Sequence, residues 1–186
     1  MDAWVWIVIV VAAVIVVGVI AASIAKKRRS EQLQDRFGPE YDRALEDSGS
    51  RRDAERELRD REKAHDELEI QPLSEAARTR YANEWQRVQA QFVDDPEGAV
   101  RSGDRLVQQA MGERGYPVDD GDFESRAATL SVDHADVVQD FREGHDLWTR
   151  YDRGEGSTED LRQAMVHYRS LFERLLEGER VGGEAR

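Results

Sequence analysis

The sequence predicts an all-α chain: an N-terminal transmembrane helix, a charged helical connector and an antiparallel helical bundle of three to four helices. Three observations carry this. Residues 3–25 hold no charged side chain and are almost wholly aliphatic. Downstream, apolar side chains recur every three or four positions, the period of one helix face. No run alternates apolar and polar residues for long enough to make a strand.

The first element reads AWVWIVIVVAAVIVVGVIAASIA. At about 1.5 Å per residue it spans roughly 35 Å, enough for a hydrocarbon core of about 30 Å. In lipid the backbone must satisfy its own hydrogen bonds, so helix prevails over the modest propensity of Val and Ile. Trp4 and Trp6 suit the headgroup region at one end, and Lys26, Lys27, Arg28 and Arg29 close the other. With only Asp2 and the terminal amine ahead of it, that charge order puts the N-terminus outside and the rest of the chain in the cytoplasm. A cleaved signal peptide would need a cationic start and a shorter apolar run. The four cations set topology; close to anionic lipid each is also worth about 1 kcal/mol.

The connector follows. Phe37-Gly38-Pro39 and Ser48-Gly49-Ser50 are breaks on either side of a short helix around Tyr41–Glu46. Residues 51–69 are mostly charged, with Glu55/Arg59 and Glu57/Arg61 as acid-before-base pairs one turn apart, worth about 0.2–0.5 kcal/mol each. Their apolar stripe is thin: Ala54, Leu58, His65, Leu68. Such a helix either stands in solvent or lays one narrow edge on a neighbour, with a disordered linker as a third alternative.

The bundle begins after Pro72. Ser74 is a candidate cap for a helix with the stripe Leu73, Ala77, Tyr81, Trp85, Val88, Phe92. Asp95 and Pro96 start a second, carrying Ala99, Val100, Leu106, Val107, Ala110 and Met111 and ending before Gly115. Residues 114–123 form the longest irregular stretch, followed by a short helix at 123–130. Ser131 and Asp133 are candidate caps for a third long helix with Val138, Phe141, His145 and Trp148, stopping at Gly154. Ser157 and Asp160 form a capping-box variant ahead of the last helix. Its stripe, Leu161, Met165, Tyr168, Phe172, Leu175, has the 4-3-4-3 spacing of a coiled coil, and Gly178 ends it. The divisions are thus 1–30 anchor, 31–70 connector, 71–178 bundle and 179–186 frayed tail. Short connections favour antiparallel neighbours.

Composition narrows the function. All but one of the 39 acidic side chains, and all but four of the 27 basic ones, lie after residue 30. So acidic a body repels nucleic-acid phosphate. The absence of cysteine excludes disulfides, thiolate metal sites and Cys nucleophiles.

The segments FGPEY (37–41), FVDDP (92–96), RGYPV (114–118), FESRA (123–127), LSVDH (130–134) and STEDLRQAMVHYRSLF (157–172) resemble a family of single-span membrane proteins of uncharacterised function found in actinobacteria. The last block is the most specific. The resemblance implies a membrane-anchored body and assigns no activity, so it transfers no catalytic residue.

His134 among Asp133, Asp136 and Asp140 could ligate zinc or iron. A cap and a first-turn residue explain Asp133 and His134 more simply, and His145 fits a half-buried imidazole beside Phe141 and Trp148. No catalytic residue, cofactor or metal ligand is assigned. GEGST (154–158) is crowded by Glu155, Glu159 and Asp160, which oppose an anion, and Arg78, Arg80 and Arg87 suit partners among nearby carboxylates. Tyr116 and Phe123, set among Asp119, Asp120 and Asp122, form the candidate partner surface; alternatively the two aromatics pin the loop to the bundle. The expectation is a membrane-anchored cytoplasmic interaction module, an adaptor or scaffold, that meets the lipid bilayer and a protein partner. Self-association along the last helix is a further possibility. The alternative is a membrane-tethered enzyme or metal-binding protein with a His/Asp site in the bundle.

Overall fold

Glycine, proline and capping side chains divide much of the chain into helices. A computed structural model describes residues 3–118 and 122–177; at residues 3, 5–13 and 22 it describes the backbone only. Those residues form helices joined by turns and loops, with no strand among them. The expected Gly178 stop and the 179–186 tail lie outside the described residues. The chain divides into two units, Met1–Leu58 and Arg59–Arg186, with the boundary inside the stretch read as a connector.

In the first unit, α1 (Ala3–Phe37) continues without a break past the four cations. At about 1.5 Å per residue it is roughly 52 Å long. Val14–Val17, Val19, Ile20 and Ile24 are between 49% and 66% exposed. Among the described residues, no helix is long and apolar enough to cross a membrane. The described aliphatic side chains from Val14 to Ile24 cover about 16 Å of helix, roughly half a hydrocarbon core.

Gly38, at φ +47°, breaks the chain, and Pro39 opens α2 (Pro39–Ser48) at a position where its missing N–H costs nothing. Leu33, Phe37, Tyr41 and Ala44 are buried. Arg51 opens α3 (Arg51–Asp66), and Glu55 ties the three helices together. Its Oε1 accepts from Ser30 Oγ, from Tyr41 Oη at 3.2 Å and from Arg51 Nε at 2.9 Å. Burial works against this carboxylate. The three donors outweigh it and hold its pKa below the ordinary value.

The second unit contains α4 (Glu75–Gln91), α5 (Pro96–Arg114), α6 (Phe123–Leu130), α7 (Val138–Asp152) and α8 (Thr158–Glu177). Ser74 caps α4 through Ala77 N–H at 3.1 Å, and Asp95 caps α5 through Gly98 N–H at 2.9 Å. Ser157 and Asp160 cap each other's backbone at the start of α8. Ser131 and Asp133 do not cap α7. Its N-cap is Val137, without a side-chain bond. Ser131 Oγ donates instead to Ala128 O, and Asp133 is taken up by His65 and Tyr116. A side chain with a buried partner elsewhere is lost to local capping.

Cross-helix pairs fix the directions. Asp136 meets Arg174, Asp140 meets His167, and Gly144 faces Ala164, so α7 and α8 run antiparallel. Tyr81 reaches Glu113 while Trp85 faces Gly103, so α4 and α5 are antiparallel as well. α5 and α8 run parallel, because Gly103 faces Met165 and Arg114 reaches Leu175. They are not consecutive, so no short connection constrains them. The core between these helices stacks Trp85 on Phe172, with ring centroids 4.6 Å apart. Every member of the α8 stripe is buried there.

Candidate functional site: a buried Arg–His–Asp cluster

The last turn of α5 delivers an arginine to the interior. Gly115 ends the helix at φ +99°, and a Cβ there would stand 2.5 Å from the Glu69 carbonyl oxygen. Only glycine allows this approach, which brings Gln71 N–H within 2.8 Å of Arg114 O. Arg114 is 2% exposed, and its guanidinium lies 5.5 Å over the Tyr116 ring. Its Nη1 is 3.2 Å from His134 Nε2 and 3.5 Å from Leu175 O. The Nε–H has no hydrogen-bond partner.

These contacts fix proton positions. A guanidinium only donates, so His134 Nε2 accepts and the ring carries its proton on Nδ1. Burial, with Arg114 beside it, lowers the His134 pKa to about 4, so the imidazole is neutral. Tyr116 Oη donates to Asp133 Oδ2 at 2.8 Å, and His65 Nε2 lies 2.6 Å from the same oxygen. Asp133 therefore joins the end of α3 to the loop after α5. A cavity of about 480 Å³ opens beside the cluster, lined by His65, Leu68, Ile70, Pro72, Arg114 and Asp133 among others. The His65–Asp133 pair resembles an oriented base, but the lining offers no Ser or Thr hydroxyl as nucleophile. The arrangement is suited to holding a ligand.

The candidate partner surface is placed unevenly. Tyr116 is 2% exposed and serves the buried cluster. Its hydroxyl finds a buried carboxylate, and that outweighs exposure. Phe123 is half-buried, stacked on His145 at 3.7 Å and tilted against Phe141 at 4.6 Å. Asp122 is exposed and caps α6 through Ser125 N–H at 2.8 Å. Asp119 and Asp120 lie outside the described residues. At the other end of the chain, Trp4 is exposed, as are Lys26, Lys27, Arg28 and Arg29, with Lys27 3.7 Å from Glu31. The Trp6 side chain lies outside the described residues.

The histidine–carboxylate grouping that the sequence suggested is dispersed. His134 faces Arg114, Asp136 pairs with Arg174, and burial lowers the pKa of the half-buried His145. Instead α7 and α8 bring together Asp140, Glu143 and His167, whose ligand atoms lie within 4.8 Å of one another. His167 Nδ1 is 3.1 Å from Asp140, and its Nε2 is 3.5 Å from Glu143. Ser170 Oγ donates to the other Asp140 oxygen at 2.6 Å. Sequence reasoning missed this trio because His167 lies on another helix, 24 residues beyond Glu143. Arg114 was missed because an arginine in the last turn of a helix reads as a solvated dipole partner. Of the other arginines, Arg78 donates to Leu73 O, and Arg80 pairs with Glu113.

No protein-family model, curated protein or solved structure matches the chain.

Proposed function

We propose that this chain is a membrane-anchored helical module that places residues 26–186 on the cytoplasmic side, where the body binds a protein partner. The observation that carries the reading is α1. Aliphatic side chains from Val14 to Ile24 stand open to their surroundings and lead directly into four exposed cations. Exposed aliphatic surface of this extent marks contact with lipid or protein. The sequence continues the uncharged run back to Ala3, and the cations set its direction. For the body, the support is a folded bundle with an acidic exterior and no assembled nucleophile–base pair among the described residues.

The test is proteolysis of spheroplasts carrying the full chain with a tag after Arg186. The tag is expected to survive in intact spheroplasts and to be lost after permeabilisation. Digestion without permeabilisation, or release of the chain by alkaline carbonate, overturns the reading. For the partner, cross-linking in the native membrane should give a discrete adduct that Phe172→Asp, which disrupts the core, abolishes.

A second reading, a cation-binding body, is favoured by Asp140, Glu143 and His167 alone. One imidazole and two carboxylates suit zinc. Against it, each ring nitrogen already faces a carboxylate. Calorimetric titration of the full chain with zinc decides. Stoichiometric binding that His167→Ala removes supports the cation; binding that persists in His167→Ala, or none, rejects it.

A further inference from the structure

We propose that the cavity beside Arg114 binds a small amphiphilic monocarboxylate, its carboxylate paired with the Arg114 guanidinium and its apolar body against Leu68, Ile70 and Pro72. This goes beyond the membrane-module reading and does not depend on it.

A guanidinium stays charged at every physiological pH, and buried charges need a counter-charge. Arg114 is 2% exposed. Among the described residues its partners are a neutral imidazole, a carbonyl and a ring face, none of them an anion. The nearby carboxylate, Asp133, spends its Oδ2 on His65 and Tyr116. Arg114 Nε is buried with no acceptor, in a side chain that forms part of the wall of a cavity of about 480 Å³. That volume lies in the range of small-molecule sites, about 300–1,000 Å³.

The rest of the lining selects among anions. Asp66 and Asp133 stand on the same wall, so a dianion such as phosphate meets two negative charges for one positive. A single carboxylate brings half that charge against the same two aspartates, and the guanidinium fork fits its two oxygens. Leu68, Ile70 and Pro72 give the remainder of the ligand an apolar bed.

Calorimetric titration of the full chain in lipid nanodiscs tests this, with hexanoate, its neutral counterpart hexanamide and inorganic phosphate as probes. Saturable one-to-one binding of hexanoate is expected, with hexanamide and phosphate at least tenfold weaker. Arg114→Met should abolish hexanoate binding. Because that change touches the core, Leu68→Trp is the second variant: Leu68 is half-buried in a turn, and the indole fills the apolar bed. It should weaken hexanoate at least tenfold with an unchanged melting midpoint. Absence of hexanoate binding overturns the proposal, as does equal or tighter binding of hexanamide or phosphate. So does unaltered hexanoate affinity in a folded Leu68→Trp protein.

Discussion

His134 couples the stability of the body to pH. Its folded pKa is about 4, against about 6.5 for a free imidazole. Between these values the unfolded chain holds a proton that the folded chain refuses, so stability falls as pH drops from about 6.5 towards 4. Above about 6.5 the contribution is fully present. For a side chain 3% exposed the change is on the order of 3 kcal/mol across that window. His145, lowered in the same direction, adds to the slope. His134→Gln keeps an acceptor for Arg114 but cannot titrate. Chemical denaturation at pH 7 and pH 4.5 should therefore show a smaller stability loss for the variant than for the wild type. An equal loss would mean that His134 is not held neutral. At this scale the sequence was only half legible. It presented His134 and Asp133 as neighbours of interest, but their partners, Arg114 and His65, come from other helices. Proximity in the chain suggested metal ligands, whereas proximity in the fold gives a hydrogen-bonded cluster.

Helix boundaries were the most legible feature, because each is written in local chemistry. Ser74, Asp95 and Ser157 cap α4, α5 and α8 as their sequence positions suggest. The start of α7 was not legible, because Asp133 could satisfy either a local backbone or a distant side chain. Packing between helices was hidden for a similar reason: it depends on small residues whose role is to be absent. Gly144 is buried on α7, and a Cβ there would stand 3.2 Å from His167 Cβ and 3.4 Å from Ala164 O on α8. It sets how closely the two helices approach. Gly144→Leu should destabilise the body by about 1–3 kcal/mol through overpacking, despite the better helix propensity of leucine. Thermal unfolding of the two proteins compares the effects. A variant as stable as the wild type would show that the contact between α7 and α8 yields to a side chain.

At the scale of the whole chain, charge is divided more sharply than structure. The division between the two units falls between Leu58 and Arg59, in a stretch whose sequence shows only a thin apolar stripe, so composition gave no sign of where one ends and the other begins. The division between an uncharged N-terminal run and an acidic remainder is, by contrast, plain in the sequence. If α1 lies in a bilayer, its direction rests on Lys26, Lys27, Arg28 and Arg29 outweighing a single aspartate at the other end. Exchanging these four for glutamine and adding cations through Asp2→Lys and Ala3→Lys inverts the bias while leaving the apolar run almost intact. A reporter fused after Arg186 should then move in large part to the outer face. This follows because the bias counts Lys and Arg close to the span, and acidic residues farther along contribute little. If the reporter stays inside, the acidic body, not the flanking cations, fixes the orientation. In that case the four cations act on lipid headgroups, and their loss should appear as weaker retention on anionic membranes.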